Sequence, residues 1–223
     1  FFADKTDSLF STDTVSVVAG DLAFSLTTDD SIAIKELNTG LGGVSLRSDQ
    51  GGIVLGDTTQ TGNTLDVGSL SLNANETIVL ETPLLSESFI RIFAQGDITL
   101  DAITSTNSWL DVDSGNGSLS IMGDVNSNSS VDLDAHSDIT VNAVTSTNSS
   151  IDLRSDFGSL DLQGDLSSGR DIILNAGTSN SKDFVANITM KAGSKAIAGR
   201  RLFMRAEDTI ALADISSDYL YSD

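Results

Sequence analysis

An internal repeat constrains this chain more than any other feature of its sequence. The segment 97–108, DITLDAITSTNS, returns 41 residues later as 138–149, DITVNAVTSTNS, and the segment 117–125 returns as 158–166. Each repeat contains a shorter unit of about 20 residues, made of two alternating apolar segments, a break with Gly or Asp, and a corner rich in Ser, Thr and Asn. A fixed period in this range is typical of stacked repeat proteins.

The short alternating segments predict strands with one apolar face each. The segments 109–113, 130–135 and 150–154 resemble one another at steps of 21 and 20 residues. Hairpins would not require that likeness and would show two-residue turns such as Asn-Gly between strands. The sequence therefore predicts an all-β, right-handed parallel β-helix with about 20 residues per coil. About ten coils, each ~4.8 Å high, would give a rod roughly 45–50 Å long.

We expect one continuous solenoid over residues 1–223, less regular in 1–64 and regular in 65–223, with an inserted loop near 177–186. Small residues follow the strands, where a large side chain would collide at a corner: Ala74, Ala94, Ala102, Ala135, Ala143, Ala176, Ala192 and Ala206. Asn107, Asn128 and Asn148 recur at corners one coil apart. They predict a ladder of stacked amides, unless they are simply corner residues.

Composition excludes several classes of function. The net charge is −20, which argues against nucleic acid, since that is bound mainly by Lys and Arg on phosphates. It argues equally against an anionic membrane surface, and no apolar run is long enough to insert into a bilayer. Without cysteine, disulfides and thiolate metal sites are excluded. The chain begins Phe1-Phe2 and not with Met, so we expect a segment of a larger protein.

Three units, GDITLDA at 96–102, SDITVNA at 137–143 and RDIILNAG at 170–177, resemble the filamentous-haemagglutinin type of repeat. The resemblance covers 65–215 well and 1–64 loosely. That family comprises large bacterial exoproteins, many exported by two-partner secretion or as autotransporters. The resemblance implies a β-helical shaft outside the cell that serves adhesion, matrix or surface fibres. The family's export domain carries Asn-Pro-Asn signatures, which this chain lacks, so a shaft segment is expected.

Polysaccharide-degrading enzymes, lyases or glycoside hydrolases, also use β-helices and form the alternative. His136 is the only histidine, and with Asp138 it would be the acid–base pair of such an enzyme; otherwise it is an exposed turn residue. Asp29-Asp30 lacks the accompanying motifs of those enzymes, and Arg200-Arg201 with Arg205 predicts a solvated strand face. We predict no catalytic residue and no cofactor. A side-face cleft with converging Asp, His, Arg or Lys would favour the enzyme.

Equivalent outward positions place aspartates above one another and predict an acidic stripe: Asp111, Asp113, Asp132, Asp134 and Asp152. Like charges ~5 Å apart repel, and divalent ions would relieve that repulsion. The first four are candidates for weak Ca²⁺ binding, with plain solvated charge as the alternative. The segment 110–117 lacks the ligand spacing of an EF-hand.

The sequence as a whole predicts a non-enzymatic, extracellular structural and adhesive shaft segment of a bacterial surface protein. We expect adhesive contacts with a host, neighbouring-cell or matrix surface from the loops 57–63 and 178–183. Apolar residues at 1–2 and 219–221 predict that further coils or copies of the protein cover both ends. The shaft of a phage or virus spike is a second alternative with the same fold.

Overall fold

The alternating segments form parallel strands in the computed structural model, which describes residues 2–4, 16–18, 20–56, 64–178 and 185–222. The strands belong to three sheets, and each full coil contributes one strand to sheet 1, then one to sheet 2, then one to sheet 3. Every strand pair in the described ranges is parallel, and its partners lie one coil apart. Within these ranges, no helix has the length and apolar character needed to span a membrane.

The strands of sheet 1 are Phe2–Asp4, Phe24–Thr28, Gly43–Ser48, Ser69–Ala74, Ile90–Ala94, Leu110–Ser114, Val131–Ala135, Ile151–Ser155, Asp171–Ala176, Arg201–Ala206 and Tyr219–Ser222. The strands of sheet 2 are Ile32–Ile34, Ile53–Leu55, Ile78–Leu80, Ile98–Leu100, Leu119–Ile121, Ile139–Val141, Leu160–Leu162, Ile188–Met190 and Ile210–Ala211. The strands of sheet 3 are Ser16–Val18, Glu36–Asn38, Leu65–Val67, Leu84–Ser86, Ile103–Ser105, Val125–Ser127, Val144–Ser146, Leu166–Ser168, Lys195–Ala198 and Asp214–Ser216.

The register confirms the predicted stacking. Ile98 pairs with Leu119, which pairs with Ile139 on the next coil, so the steps are 21 and 20 residues. The fold is an all-β parallel β-solenoid of about nine turns with about 21 residues per turn. At ~4.8 Å per turn the stack is roughly 43 Å long, slightly shorter than the ten coils predicted.

The core consists of apolar side chains in vertical files inside the coils. Ile53, Ile78, Ile98 and Leu119 form one such file in sheet 2 and are all 1% exposed or less. Alternation along each strand puts every second side chain into the core. Burying each of these large aliphatic groups stabilises the fold by about 1.5–3 kcal/mol.

Corners of the coil require small side chains, as the sequence predicts, but serine takes that place as often as alanine. In sheet 1 the file Ser114, Ala135, Ser155, Ala176 is buried at the end of successive strands. Ala192 differs from the prediction because it is exposed in a turn before Gly193, whose φ is 85°.

A second file of buried serines closes sheet 3, and the hydroxyl of each bonds a main-chain carbonyl near the corner of the preceding coil. Ser105 Oγ donates to the Ser88 carbonyl at 2.6 Å, and Ser127 Oγ donates to the Ser108 carbonyl at 2.8 Å. These bonds satisfy the buried hydroxyls and link the corners of adjacent coils.

Candidate functional site

The predicted acidic stripe lies on the outward face of sheet 1. Asp111 pairs with Asp132, which pairs with Asp152, and in the neighbouring file Asp113 pairs with Asp134. Consecutive strands place the aspartates of each file about one strand spacing apart, ~4.8 Å. The stacking of these side chains is therefore as predicted.

Arginines flank the stripe, a feature that was not predicted although the coil step places Arg91 and Arg154 next to it. Arg154 follows Asp134 in its file and donates from Nε to Asp152 Oδ1 at 3.0 Å. Arg91 lies below Asp111, with 3.5 Å between Nε and Oδ2. The stripe therefore carries both signs of charge.

Partial burial and mutual repulsion change the acidity of the stripe. Burial raises the pKa of Asp111, although the charge of Arg91 opposes the shift. Burial, with repulsion from other aspartates, raises the pKa values of Asp113 and Asp132. The same causes raise the pKa of Asp134 to about 7. Asp134 is therefore partly protonated at neutral pH.

Asp132 carries an unusual oxygen. Its Oδ1 is buried and has no hydrogen-bond partner among the described residues. An unpaired buried acceptor costs free energy, most of all when it is charged. Protonation of this carboxyl lowers that cost, which agrees with the raised pKa of Asp132.

A polar cleft of about 530 Å³ includes two aspartates of the stripe, Asp113 and Asp134, and lies over sheet 1 and the corner that follows it. Its charged and polar lining consists of Asp113, Ser114, Asp134, His136, Arg154, Asp156, Asn175, Thr178 and Arg205. A side-face cleft with converging Asp, His and Arg side chains is the feature that was expected to favour the alternative function, a polysaccharide-degrading enzyme. We call it the sheet 1 cleft.

His136 lies in this cleft, whereas the sequence favours an exposed turn residue. The ring is half-buried, and its centroid is 4.5 Å from that of Phe157 at a tilted angle. Asp138 is used elsewhere, since its Oδ1 accepts the N–H of Ser159 at 2.7 Å. Among the described residues no hydrogen bond joins His136 to Asp138, so the acid–base pair considered from the sequence is not formed.

Arg200, Arg201 and Arg205 are all exposed, as the predicted solvated face requires, but two of them also form ion pairs. Arg200 and Arg201 both bond the carboxylate of Asp171, whose side chain is only 8% exposed. The hydrogen bonds from these two guanidinium groups hold the pKa of Asp171 well below its usual range. Arg205 instead reaches the sheet 1 cleft.

The predicted amide ladder forms one rung. Asn148 Nδ2 donates to Asn128 Oδ1 at 2.8 Å, and no rung to Asn107 is found in the described part of the chain. Another corner carries an equivalent bond that was not predicted, from Asn116 Nδ2 to Gln95 Oε1 at 2.8 Å. These bonds cross-link coils at the surface.

The remaining residues and loops predicted from the sequence lie either away from the cleft or outside the residues that the structure describes. Asp29 and Asp30 are exposed at a corner of an early coil. Of the proposed adhesive loops, 57–63 and 179–183 lie outside the described residues, and Thr178 bonds Asp156 at the margin of the cleft, with 2.9 Å between Oγ1 and Oδ1.

Metal binding gains no geometric support. No group of three or more His, Cys, Asp or Glu side chains in the described ranges is placed to hold a metal ion. Weak Ca²⁺ binding by Asp111, Asp113, Asp132 and Asp134 stays a prediction.

Sequence reasoning missed Arg154, Asp156, Asn175 and Thr178 as parts of the cleft. Asp156 follows its strand at the same corner as His136, one coil later, so the coil step could have found it. Comparison with known proteins adds no relative: no family model matches the chain, and neither the curated proteins nor the solved structures contain a significant match.

Proposed function

We propose that this chain is a structural and adhesive shaft segment of a large extracellular bacterial protein of the filamentous-haemagglutinin repeat type, and that it is not an enzyme. The observation that carries the proposal is the continuous solenoid, in which each strand of the three sheets pairs with the equivalent strand of the next coil. Such a stack extends in one dimension and presents a long side surface, which suits a spacer that holds contacts away from a cell.

The surface of the last described coil supports an end-to-end partner. Ile215 and Leu220 pair with Ala196 and Leu202, which are buried, yet they are themselves 41% and 51% exposed. Exposed apolar groups above a core file favour another coil stacking there, because open strand edges pair readily. The partner is a further coil of the same protein or a second copy.

The test has two parts. Electron microscopy and light scattering of the isolated chain should show rods that associate end to end; a stable monomeric rod without stacking counts against the partner. Beads coated with the chain should adhere to host or bacterial cells, and antibodies against it should label intact source cells. Beads that bind no more than uncoated ones contradict the adhesive role.

The sheet 1 cleft favours one second candidate, a polysaccharide-degrading enzyme. A glycoside hydrolase needs one carboxylic acid to protonate the leaving group and a nearby carboxylate as base or nucleophile. Asp134, with a pKa of about 7, and Asp113 on the adjacent strand have those properties.

Release of reducing ends from neutral and acidic polysaccharides, abolished by Asp134→Asn, would establish this activity. Asp29→Asn, which changes an exposed carboxylate far along the chain from the cleft, is the matched control.

A further inference from the structure

The sheet 1 cleft contains a polar file that the shaft role does not use. Asp113, Asp134, Arg154, Asn175 and Arg205 occupy the same outward position on five successive strands. Four steps of ~4.8 Å give this file a length of roughly 19 Å along the solenoid axis. All five residues line the cleft.

Several of these groups have unused hydrogen-bonding capacity. In the described part of the chain, Asp113 and Asp134 accept no hydrogen bond and Arg205 forms no ion pair, while Arg154 is engaged with Asp152. A ligand at the carboxylate end must therefore donate hydrogen bonds, and one at the Arg205 end must accept them.

We infer that the sheet 1 cleft binds a short uncharged oligosaccharide lying along the axis. Sugar hydroxyls donate and accept at the same atom, so one polyol chain satisfies both the carboxylates and the guanidinium group. His136, whose ring contacts that of Phe157, lines the cleft at the corner and is the ring against which the apolar C–H face of a sugar packs. An oligosaccharide is thus the class of partner for the proposed adhesive role, and the biological meaning of the cleft rests on that role.

Other ligand classes fit less well. An anionic polymer meets Asp113, Asp134 and Asp156, and a basic peptide meets Arg154 and Arg205. An extended peptide that adds to a sheet needs free main-chain groups at an edge. The central strands of sheet 1 are paired on both sides, as Val131–Ala135 is with its two neighbours. These central strands therefore offer no free edge to an added peptide strand.

Partial protonation of Asp134 suits a hydroxyl ligand. With a pKa of about 7, this carboxyl both donates and accepts near neutral pH.

The test is titration calorimetry of the whole chain with cellotetraose, maltotetraose and chitotetraose, beside tetragalacturonate and tetralysine as charged probes. At least one neutral tetrasaccharide should bind. Asp134→Ala and Arg205→Ala should each weaken it about tenfold or more, the loss expected when a hydrogen bond to a charged group is removed. Asp66→Asn is the control, because Asp66 lies on a strand of sheet 3.

Three results overturn the inference: no neutral tetrasaccharide binds, only a charged probe binds, or both cleft variants bind as tightly as the unaltered chain. Circular dichroism checks that each variant is folded, and Arg205 is exposed, so its loss leaves the core intact. Failure of the adhesive role would instead appear in the bead assay, with saccharide binding unchanged.

Discussion

Replacing Asp134 by Asn should stabilise the protein at alkaline pH and leave its stability almost unchanged in acid. The pKa of Asp134 in the folded chain is about 7, against an ordinary value of 3.8. Between these two values the folded state holds a proton that the unfolded state releases. The contribution of Asp134 to stability is therefore fully present below about pH 4 and is lost as the pH rises through about 7.

The size of the effect follows from that difference. About three pKa units correspond to an upper bound of about 4 kcal/mol. Because the side chain is only half-buried, solvent screening reduces the expected penalty to about 1–2 kcal/mol. Asn has nearly the same shape and cannot ionise, so Asp134→Asn should recover this amount above about pH 8.

Urea unfolding at about pH 4 and about pH 8 measures the difference, with the single tryptophan, Trp109, as fluorescent probe. Asp66→Asn is the matched control. Asp66 also points outward from a strand, but its stacked neighbours, Asn38 and Leu85, are uncharged. The reasoning is refuted if Asp134→Asn destabilises the chain at high pH, or if its effect is the same at both pH values or equal to that of the control.

Three further changes test other parts of the fold. Ile98→Ala should cost about 2–5 kcal/mol in urea unfolding, because it leaves a cavity in a fully buried file; a cost under about 1 kcal/mol would contradict the packing. Gly158→Ala should also destabilise, since a Cβ there would lie 2.5 Å from the Asp138 amide nitrogen; a thermal scan with no fall in Tm contradicts that close approach. Asp171→Asn should cost about 1 kcal/mol or less at neutral pH, because its arginine partners are largely solvated. That cost should shrink steadily as the pH falls below about 4, because the unfolded chain then takes up a proton at this carboxyl while the arginines keep it ionised in the folded state; a cost independent of pH in the same titration would refute the ion pairing.

Much of the architecture could be predicted because residues that stack in this fold recur at a nearly fixed interval in the sequence. The likeness of 97–108 and 138–149 reflects two corners and two strands that occupy the same place on the coil. Alternation then assigns each side chain to the core or the surface, which is why the aspartate files were found. The buried serines were missed because serine is common in exposed turns, and its burial at a corner is explained only by the carbonyl that its hydroxyl bonds.

The cleft was harder to predict because its parts lie on both sides of a change in period. Asn175 pairs with Arg205 across 30 residues, not 20 or 21. The pairing of Asp171 with Arg201 spans the same longer interval. Comparing residues 20 or 21 positions apart in the sequence therefore finds neither of these two pairs. The orientation of Arg154 toward Asp152 depends on side-chain torsions, which no sequence period specifies.

Pairing between adjacent coils also determines how such a chain acquires its structure. Ile90 pairs with Leu70 on one side and with Leu110 on the other, so both strand pairings of this segment join residues 20 apart in the chain. Closing so short a loop costs little entropy, and the cost is nearly the same for each added coil. Order can therefore advance progressively from a few formed coils, without waiting for a remote segment to be synthesised.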